Sequence, residues 1–276
     1  MMHHVNANGA AIPALGLGTF TLKGTDCVDM VSSAIEVGYR HLDTAAMYGN
    51  EAEVGEGLRQ SAIARDEVFV TTKVWWEDLR ADDLRRSAET SLAKLKLDSV
   101  DLLLVHWPNP AIPLSDTLPA LARLKQEGLA RNIGVSNFTT KLLAEALELC
   151  PEPLVANQVE YHPYLDQTKV YAACRAAGMA MVSYCPLHRG GGLLSEAAVR
   201  SAADAHGKTP GQIVLRWHVQ QDGVVAIPRT SRIERLEENF SIFDFELTGD
   251  EMAAISQLAG KGSRICDFDF SPRWDD

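Results

Sequence analysis

Short apolar runs alternate with helical patterns along almost the whole chain of 276 residues. Each run is β-branched or leucine-rich and too short for a helix, as is typical of buried parallel strands. The seven clearest runs end at residues 43, 73, 106, 136, 158, 184 and 228, at intervals of 30, 33, 30, 22, 26 and 44 residues. A weaker first strand lies at residues 15–18. Eight strand–helix units without a domain-sized linker predict an α/β fold, a closed (β/α)8 barrel forming one domain over residues 1–276.

Turn and helix signals between and around the strands fit the same architecture. Asn8-Gly9, between two short extended segments, predicts an N-terminal β-hairpin. The first helix is expected to begin at an N-cap on Thr25 or Asp26 and to stop at Gly38. Further helices are expected near residues 51–60, 82–97, 115–128, 139–149, 168–177, 208–221, 231–240 and 248–258. The last of these is an extra C-terminal helix beyond the barrel.

Two other α/β architectures leave sequence signals that can be checked. A doubly wound nucleotide-binding sheet carries a G-x-G-x-x-G fingerprint; the chain has Gly16 and Gly18, but Thr21 replaces the third glycine and no helix begins there. A metal-dependent barrel hydrolase would carry a His-x-His pair at an early strand end, whereas His3-His4 precedes the hairpin. The pattern therefore favours the closed barrel and predicts no metal site.

Composition narrows the functional classes. Because the net charge is −11, we expect no extended basic surface that could bind a nucleic acid. Apolar runs end well before the ~18 residues of a membrane span, and the N-terminus shows no signal-peptide pattern. Five cysteines, scattered and without a C-x-x-C pair, are typical of a reduced chain. We expect a cytoplasmic protein without nucleic-acid or membrane partners.

Four polar side chains stand at or just after the ends of three successive predicted strands: Asp43, Tyr48, Lys73 and His106. Parallel strands of one sheet direct their carboxyl ends to the same face, so these groups are expected to converge. Tyr48 is then a proton donor for a carbonyl oxygen, and Lys73 would lower the phenol pKa from about 10. Asp43 would hold the ammonium, while a neutral His106 would donate a hydrogen bond to a developing alkoxide.

Taken singly, each of the four residues has an ordinary structural explanation. Asp43 can cap the following helix, Tyr48 can be an exposed loop phenol, Lys73 can be a solvated charge and His106 can be a core histidine. Four such residues at neighbouring strand ends favour the catalytic interpretation instead.

The motifs around these residues closely resemble those of the aldo-keto reductases. The resemblance covers about residues 12–239 and rests on residues 42–51 (LDTAAMYGNE), Thr72-Lys73, His106-Trp107-Pro108 and residues 134–138 (GVSNF). Within that family the chain is most similar to bacterial 2,5-diketo-D-gluconic acid reductases. The resemblance implies a (β/α)8 barrel that reduces carbonyl groups with NADPH, without metal or flavin. It also implies that the four polar residues are the catalytic ones.

The ends of the fifth to seventh strands carry residues suited to a nicotinamide. Ser136, Asn137 and Gln158 can hydrogen-bond a carboxamide, and Tyr184 offers a ring face for stacking. Alternatively, Tyr184 packs against the loop that follows it. The resemblance implies the same nicotinamide contacts, and further cofactor contacts at Gly18, Thr19, Pro186 and Leu187.

A basic cluster at residues 229–235 stands out in this acidic chain. Its arginines surround a helix start that Ser231 is expected to cap, with Arg235 on the second turn, and such a start favours a phosphate. Alternatively, this is a solvated helix face balanced by glutamates. The resemblance implies an adenosine 2′-phosphate site, with cofactor contacts at Arg229, Thr230, Arg235, Glu238 and Asn239. Relatives often carry lysine and serine where this chain has Arg229 and Thr230.

Aromatic residues after strands one, three and four are expected to wall the substrate pocket beside His106: Phe20, Trp75 and Trp107. Only 18 residues follow Leu258, and relatives that handle bulky apolar substrates have a longer C-terminal loop. A short tail indicates an open pocket for small, polar carbonyl compounds. Residues 188–193 form a loop that in relatives closes over the cofactor pyrophosphate, or else a loose connector.

Two other functions are compatible with a barrel of this kind. One is an NADPH-binding regulatory subunit, and the other is an isomerase of sugar phosphates. The resemblance favours a monomeric reductase of small carbonyl substrates. Loss of NADPH absorbance with a panel of carbonyl compounds would separate these possibilities.

Overall fold

The computed structural model describes residues 3–261 and 264–275. The strands in the described part of the chain are β1 (His4–Ala7), β2 (Ala10–Pro13), β3 (Leu17–Gly18), β4 (His41–Asp43), β5 (Phe69–Val74), β6 (Val100–Val105), β7 (Ala130–Ser136), β8 (Leu154–Glu160), β9 (Ala180–Tyr184) and β10 (Val224–Ala226). β1 and β2 form an antiparallel hairpin, as Asn8-Gly9 predicts. β3 to β10 form one parallel sheet in chain order.

The parallel sheet closes on itself. A parallel bridge joins Leu15 to Ala226 in the last strand, and Gly16 N donates to Ala226 O at 2.9 Å. Gly18 N donates to Pro228 O at 3.0 Å just beyond the same junction. The predicted (β/α)8 barrel is therefore confirmed, and the carboxyl ends of all eight strands share one rim.

The helices cover the outside of the barrel: α1 (Gly24–Val37), α2 (Glu51–Gln60), α3 (Ala81–Leu95), α4 (Leu114–Gln126), α5 (Thr140–Leu149), α6 (Thr168–Ala176), α7 (Ala197–His206), α8 (Pro210–Val219), α9 (Glu234–Phe240) and α10 (Gly249–Ser256). Enclosed between helices and barrel interior, all six residues of β6 are buried. This two-sided burial explains why the strands are continuously apolar rather than alternating.

Two helix starts were predicted wrongly, and one helix was missed. α1 begins at Gly24 after an extended Lys23, not at a cap on Thr25 or Asp26, although Gly38 ends it as predicted. α7 was not predicted; its cap position holds Glu196, which makes no capping hydrogen bond, although Val199, Ala202 and Ala203 are buried at helical spacing. α9 begins at Glu234, and Ser231 does not cap it.

The β1–β2 hairpin lies at the end of the barrel opposite the carboxyl rim. Asn8 Nδ2 donates to Leu154 O at 2.8 Å and to Ala177 O at 2.9 Å, at the amino ends of β8 and β9. Gly178 has φ +68°, and a Cβ there would lie 2.5 Å from Asn8 Oδ1. The hairpin therefore packs against the amino ends of the strands and leaves the other rim to the site.

Candidate active site

Asp43, Tyr48, Lys73 and His106 meet at the carboxyl rim. Lys73 lies in β5 and Asp43 ends β4, while His106 follows β6 and Tyr48 ends a short 3-10 helix. Lys73 Nζ is 2.6 Å from Asp43 Oδ1 and 3.3 Å from Tyr48 Oη. The Tyr48 and His106 rings are 5.6 Å apart between centroids. The structure thus brings the four predicted residues into one cluster.

The Lys73–Asp43 pair is buried and has additional partners. Their relative exposures are 0% and 1%. Lys73 also donates to Thr44 O at 2.8 Å, and Gln158 Nε2 donates to Asp43 Oδ2 at 2.7 Å. Burial lowers the pKa of Lys73, and the contact with Asp43 opposes that change. Removing either partner would leave an uncompensated buried charge.

Burial raises the pKa of Tyr48 well above 10, and the negative charge of Asp43 adds to the rise. The expectation that Lys73 brings this pKa below its usual value is therefore wrong for the protein as it stands. Desolvation of a phenolate outweighs the nearby ammonium. Tyr48 holds its proton at neutral pH, as a proton donor must.

His106 is neutral. Burial, assisted by the positive charge of Lys73, holds its pKa well below 6.5. Its backbone carbonyl accepts from Asn137 Nδ2 at 3.0 Å, which ties it to the neighbouring strand end. Its buried Nδ1 has no hydrogen-bond partner among the described residues. A neutral imidazole with free hydrogen-bonding capacity is suited to a polar ligand.

The residues predicted to hold a nicotinamide form a network of their own. Ser136 Oγ donates to Gln158 O at 2.8 Å, and Asn137 Nδ2 donates to Ser136 Oγ at 3.1 Å. Tyr184 Oη donates to Asn137 Oδ1 at 2.7 Å, so its ring is held by that contact. Asn137, Ser136 and Gln158 are buried beside Asp43, where a flat polar group would meet the cluster.

The end of β3 supplies a second side of the site. Thr19 is buried and its hydroxyl donates to Asp43 O at 2.9 Å. A Cβ on Gly18 would lie 2.9 Å from Ile227 O, so only glycine fits there without a shift. Phe20 is 46% exposed, and its ring lies 5.0 Å from that of Tyr48. Two strands away around the barrel, after β9, Pro186 is buried and Leu187 half-buried.

The predicted phosphate segment lies on the surface between β10 and α9. Arg229, Arg232 and Arg235 are exposed, and Arg229 Nε donates to Phe20 O at 3.2 Å. Thr230 is buried, and its hydroxyl accepts from Arg232 N at 3.0 Å in a turn that precedes the helix. Because of that turn Arg235 lies on the first turn of α9, not the second.

The part of the same segment that was predicted to contact adenine is more enclosed. Asn239 is 5% exposed, and Glu238 accepts from Thr209 Oγ1 at 2.7 Å. Glu238 is thus already held by the N-cap residue of α8. The structure brings the predicted adenosine residues to one surface next to the β3 side of the site.

Aromatic side chains wall the mouth of the barrel beside His106. The Trp75 ring lies 5.2 Å from the His106 ring, and Trp107 is buried. Residues 264–275, here called the C-terminal segment, cross this wall. Phe270 stacks on Trp76 at 4.9 Å and meets Trp75 at 5.8 Å, and Phe268 meets Trp107 at 5.7 Å.

These contacts were not predicted from the sequence, in which the short tail indicated an open pocket. Trp274 also packs against Trp107, at 6.0 Å between centroids. The signal was available, because residues 268–274 carry three aromatic side chains in seven positions. The aromatic residues of this short tail pack on Trp75 and Trp107 and cover them.

Two further observations concern metal binding and membrane-spanning helices. No group of three or more His, Cys, Asp or Glu side chains in residues 3–261 and 264–275 is arranged to hold a metal ion. Within the same residues, no helix is long and apolar enough to cross a membrane.

A closed barrel with this polar cluster at its carboxyl rim defines a (β/α)8-barrel enzyme. The sequence pattern of the aldo/keto reductase family matches residues 14–259. The chain therefore belongs to the aldo/keto reductase family and is an NADPH-dependent oxidoreductase.

Individual relatives extend the comparison over nearly the full chain. Methylglyoxal reductase DkgB of Escherichia coli O157:H7 is 40% identical over 268 residues, covering 96% of this chain and 100% of that protein. A crystal structure provisionally named as a 2,5-diketo-D-gluconic acid reductase B is 46% identical with a TM-score of 0.97, covering 100% and 98% of the two chains. An aldo-keto reductase of Bombyx mori, solved in complex with NADP, is 34% identical with a TM-score of 0.89, covering 97% and 96%.

Proposed function

We propose that this protein reduces the aldehyde or ketone group of small, polar carbonyl compounds, with Tyr48 as the general acid. The observation that carries the proposal is the position of the Tyr48 phenol, 3.3 Å from the ammonium of a buried Lys73 that is paired with Asp43. NADPH, when bound, supplies the hydride that reduces the carbonyl carbon. The chain's own residues must then orient the carbonyl and protonate its oxygen.

Tyr48 suits the protonation step in both of its states. Before transfer, burial keeps the phenol protonated. After transfer to the developing alkoxide, the phenolate oxygen is stabilised by the Lys73 ammonium, which already donates to it. Burial therefore ensures that the proton is present before transfer, and the Lys73 ammonium limits the cost of forming the phenolate. Positioned acids of this kind accelerate reactions by roughly 10²–10⁴-fold.

His106 and Asp43 support this transfer in different ways. A neutral His106 can donate a hydrogen bond to the carbonyl oxygen without competing as a proton source. Asp43 keeps Lys73 in place and charged despite its burial. We propose that Asp43 therefore acts on the substrate only through Lys73 and Tyr48.

We propose that NADPH binds along one side of the rim. We assign the nicotinamide to Ser136, Asn137, Gln158 and Tyr184, whose polar groups converge beside Asp43. We also assign cofactor contacts to Gly18, where the backbone of residues 227 and 228 packs closely, and to Thr19 beside it. Pro186 and Leu187 would line the loop that follows. The 2′-phosphate and adenine are assigned to Arg229, Thr230, Arg235, Glu238 and Asn239.

The pocket wall and the relatives' names support a proposal for the substrate class. Phe20, Trp75 and Trp107 offer apolar surface next to the polar cluster, which suits a small molecule with one reactive carbonyl. Relatives carry the names methylglyoxal reductase and 2,5-diketo-D-gluconic acid reductase B. We propose dicarbonyl compounds, diketo sugar acids and aromatic aldehydes as the first candidates.

Purified protein mixed with NADPH and members of these three classes tests the proposal directly. We expect loss of NADPH absorbance that requires both protein and carbonyl compound, and far slower loss with Tyr48→Phe. Tight NADPH binding without turnover on any member of the panel would favour the regulatory subunit instead. Turnover that is unchanged in Tyr48→Phe would remove the phenol from the reaction.

Two coarser properties complete the proposal. A cytoplasmic location and a monomeric state are what the scattered cysteines and the family resemblance favour. Size-exclusion chromatography with light scattering measures the oligomeric state, and a mass near 30.2 kDa is expected for a monomer.

A further inference from the structure

A buried carboxylate of the barrel holds the start of the C-terminal segment. Glu160, the last residue of β8, is 0% exposed. Its Oε1 accepts from Ile265 N and its Oε2 from Cys266 N, each at 2.7 Å. Both donors are backbone groups, so this attachment depends on the carboxylate and hardly on the side chains of the segment.

Glu160 remains ionised in this position. Burial by itself would raise its pKa, but hydrogen bonds from His162, Ile265 and Cys266 bring the pKa below its usual value. His162 Nε2 lies 2.9 Å from Glu160 Oε1. A charged acceptor makes each of these hydrogen bonds stronger than one between neutral groups.

The attachment is close in sequence to the aromatic contacts at the mouth. Cys266 precedes Phe268 by two residues and Phe270 by four, and these rings contact Trp107 and Trp75. Trp75 in turn packs edge-on against the catalytic His106 at 5.2 Å. A shift of the segment at Cys266 would therefore move the wall that faces the substrate.

The far end of the segment has its own attachment. Asp275 accepts hydrogen bonds from Thr140 N at 2.8 Å and from Thr140 Oγ1 at 2.7 Å, at the start of α5. The segment is thus a strap with two fixed ends, and Glu160 holds the end nearer to the β8–β9 side of the site.

We propose that Glu160 is a positioning residue that fixes the C-terminal segment as the outer wall of the substrate pocket and so sets the affinity for carbonyl substrates that reach Phe268 and Phe270. It acts through Ile265 and Cys266 and does not touch the reacting atoms. This inference rests on the proposed function, since it concerns the substrate pocket of the same reductase.

Glu160→Gln tests the inference with little change of side-chain volume. An amide has one acceptor oxygen, and its NH₂ group would face a backbone N–H, so one of the two attachments is lost. For an aromatic aldehyde we expect KM to rise roughly fivefold or more, with kcat changed less than about twofold. NADPH affinity should be unchanged. A fall in kcat at constant KM would overturn the assignment.

Glu196→Gln is the matched control. Glu196 is another carboxylate with two partners, Tyr164 Oη and Lys261 Nζ, and both belong to other parts of the chain. We expect KM, kcat and the exchange behaviour of the segment to stay at wild-type values. An equal rise in KM in this control would overturn the specific role of Glu160.

A double variant separates action through the segment from general loosening. Phe270→Ala should raise KM for the aromatic aldehyde by removing the wall itself. If Glu160 acts through that wall, Glu160→Gln should add little to the KM of Phe270→Ala. Fully multiplicative effects would show that Glu160 acts by another route.

Hydrogen–deuterium exchange of residues 265–275 tests the attachment without any catalysis. Exchange should be faster in Glu160→Gln than in wild type and Glu196→Gln, and unchanged exchange would overturn the inference. If Glu160→Gln does not fold, Ile265→Pro removes one donated N–H and leaves the core intact, with the same expected results. A wild-type protein that reduces no carbonyl compound would remove the proposed function, while the exchange result would still decide the attachment.

Discussion

Gln158 Nε2 donates a 2.7 Å hydrogen bond to Asp43 Oδ2 across 115 positions of sequence. The other oxygen of Asp43 faces Lys73 Nζ at 2.6 Å. A residue assigned to the nicotinamide and the ammonium assigned to the proton donor thus share one carboxylate. Any displacement of Gln158 on cofactor binding changes how fully Asp43 is available to Lys73. That carboxylate therefore links the residue that we assign to the cofactor with those that we assign to proton transfer.

Tyr48→Phe should abolish most turnover and leave the cofactor bound. The substitution keeps the ring and its packing against Phe20 and His106, and it removes only the transferable proton. We expect kcat to fall by roughly 10²–10⁴-fold, with the NADPH dissociation constant nearly unchanged. Steady-state kinetics and a fluorescence titration with NADPH measure the two quantities. A large loss of NADPH affinity would indicate a structural defect instead.

Lys73→Met should remove activity and also destabilise the fold. Asp43 is only 1% exposed, so loss of the ammonium leaves a buried carboxylate without its counter-ion. We expect the free energy of unfolding to fall by about 3–5 kcal/mol. The double variant Asp43→Asn with Lys73→Met removes both charges, and it should recover stability but not turnover. Denaturant unfolding and kinetics of the three proteins check this, and an inactive double variant that is no more stable would contradict it.

Arg235→Ala should weaken NADPH and spare NADH. A 2′-phosphate bound by an arginine contributes a charge-assisted contact of roughly 1.5–3 kcal/mol, so NADPH affinity should fall by about 10–150-fold. Arg86→Ala is the control, because it removes one exposed charge on α3, where Arg86 pairs with Asp83. Fluorescence titrations with both cofactors decide the matter. Equal losses for NADPH and NADH would mean that Arg235 does not contact the phosphate.

His41 should make the protein less stable in weak acid. It is buried in β4, and burial lowers its pKa to about 4. The unfolded chain binds the proton from about pH 6.5 downward while the folded protein does not, so stability is lost as the pH falls from about 6.5 to 4. The shift corresponds to about 3 kcal/mol.

His41→Gln, which can keep a hydrogen bond to Thr71 Oγ1, removes this titration. Denaturant unfolding at a series of pH values should show a shallower decline for the variant than for wild type. Parallel curves for the two proteins would mean that His41 is protonated in the folded state as well.

Cys185 should react first among the cysteines with a thiol reagent. A hydrogen bond from Cys266 lowers its pKa although burial opposes the change, and burial raises the pKa values of Cys27 and Cys174 to about 12. The thiolate is the reactive form, so alkylation should concentrate at Cys185. Peptide mass spectrometry after brief exposure to iodoacetamide measures this. Because Cys185 follows Tyr184, saturating NADPH should slow the reaction, and modification spread evenly over the cysteines would contradict the prediction.

The barrel could be predicted from the sequence because its strands are buried on both faces and recur at strand–helix intervals. The four polar residues were predictable for the same reason, since each stands at a strand end or in the short helix just beyond one. α7 was missed because no residue typical of an N-cap precedes it; Glu196 stands there and makes no capping hydrogen bond. The start of α9 was misplaced, because the hydroxyl of Thr230 binds Arg232 N and forms a turn where a helix was expected.

Local pattern alone determined the architecture, the candidate catalytic residues and the basic segment for a phosphate. Tertiary structure decided the pKa values of the polar cluster and the position of the C-terminal segment at the mouth of the barrel. Burial reverses the direction expected for the pKa of Tyr48, because desolvation depends on atoms brought together from the whole chain. The attachment of Cys266 to Glu160 joins residues 106 positions apart through a backbone N–H, and backbone groups carry no sequence signal. For that reason the wall at the mouth of the site could be identified only from the tertiary structure.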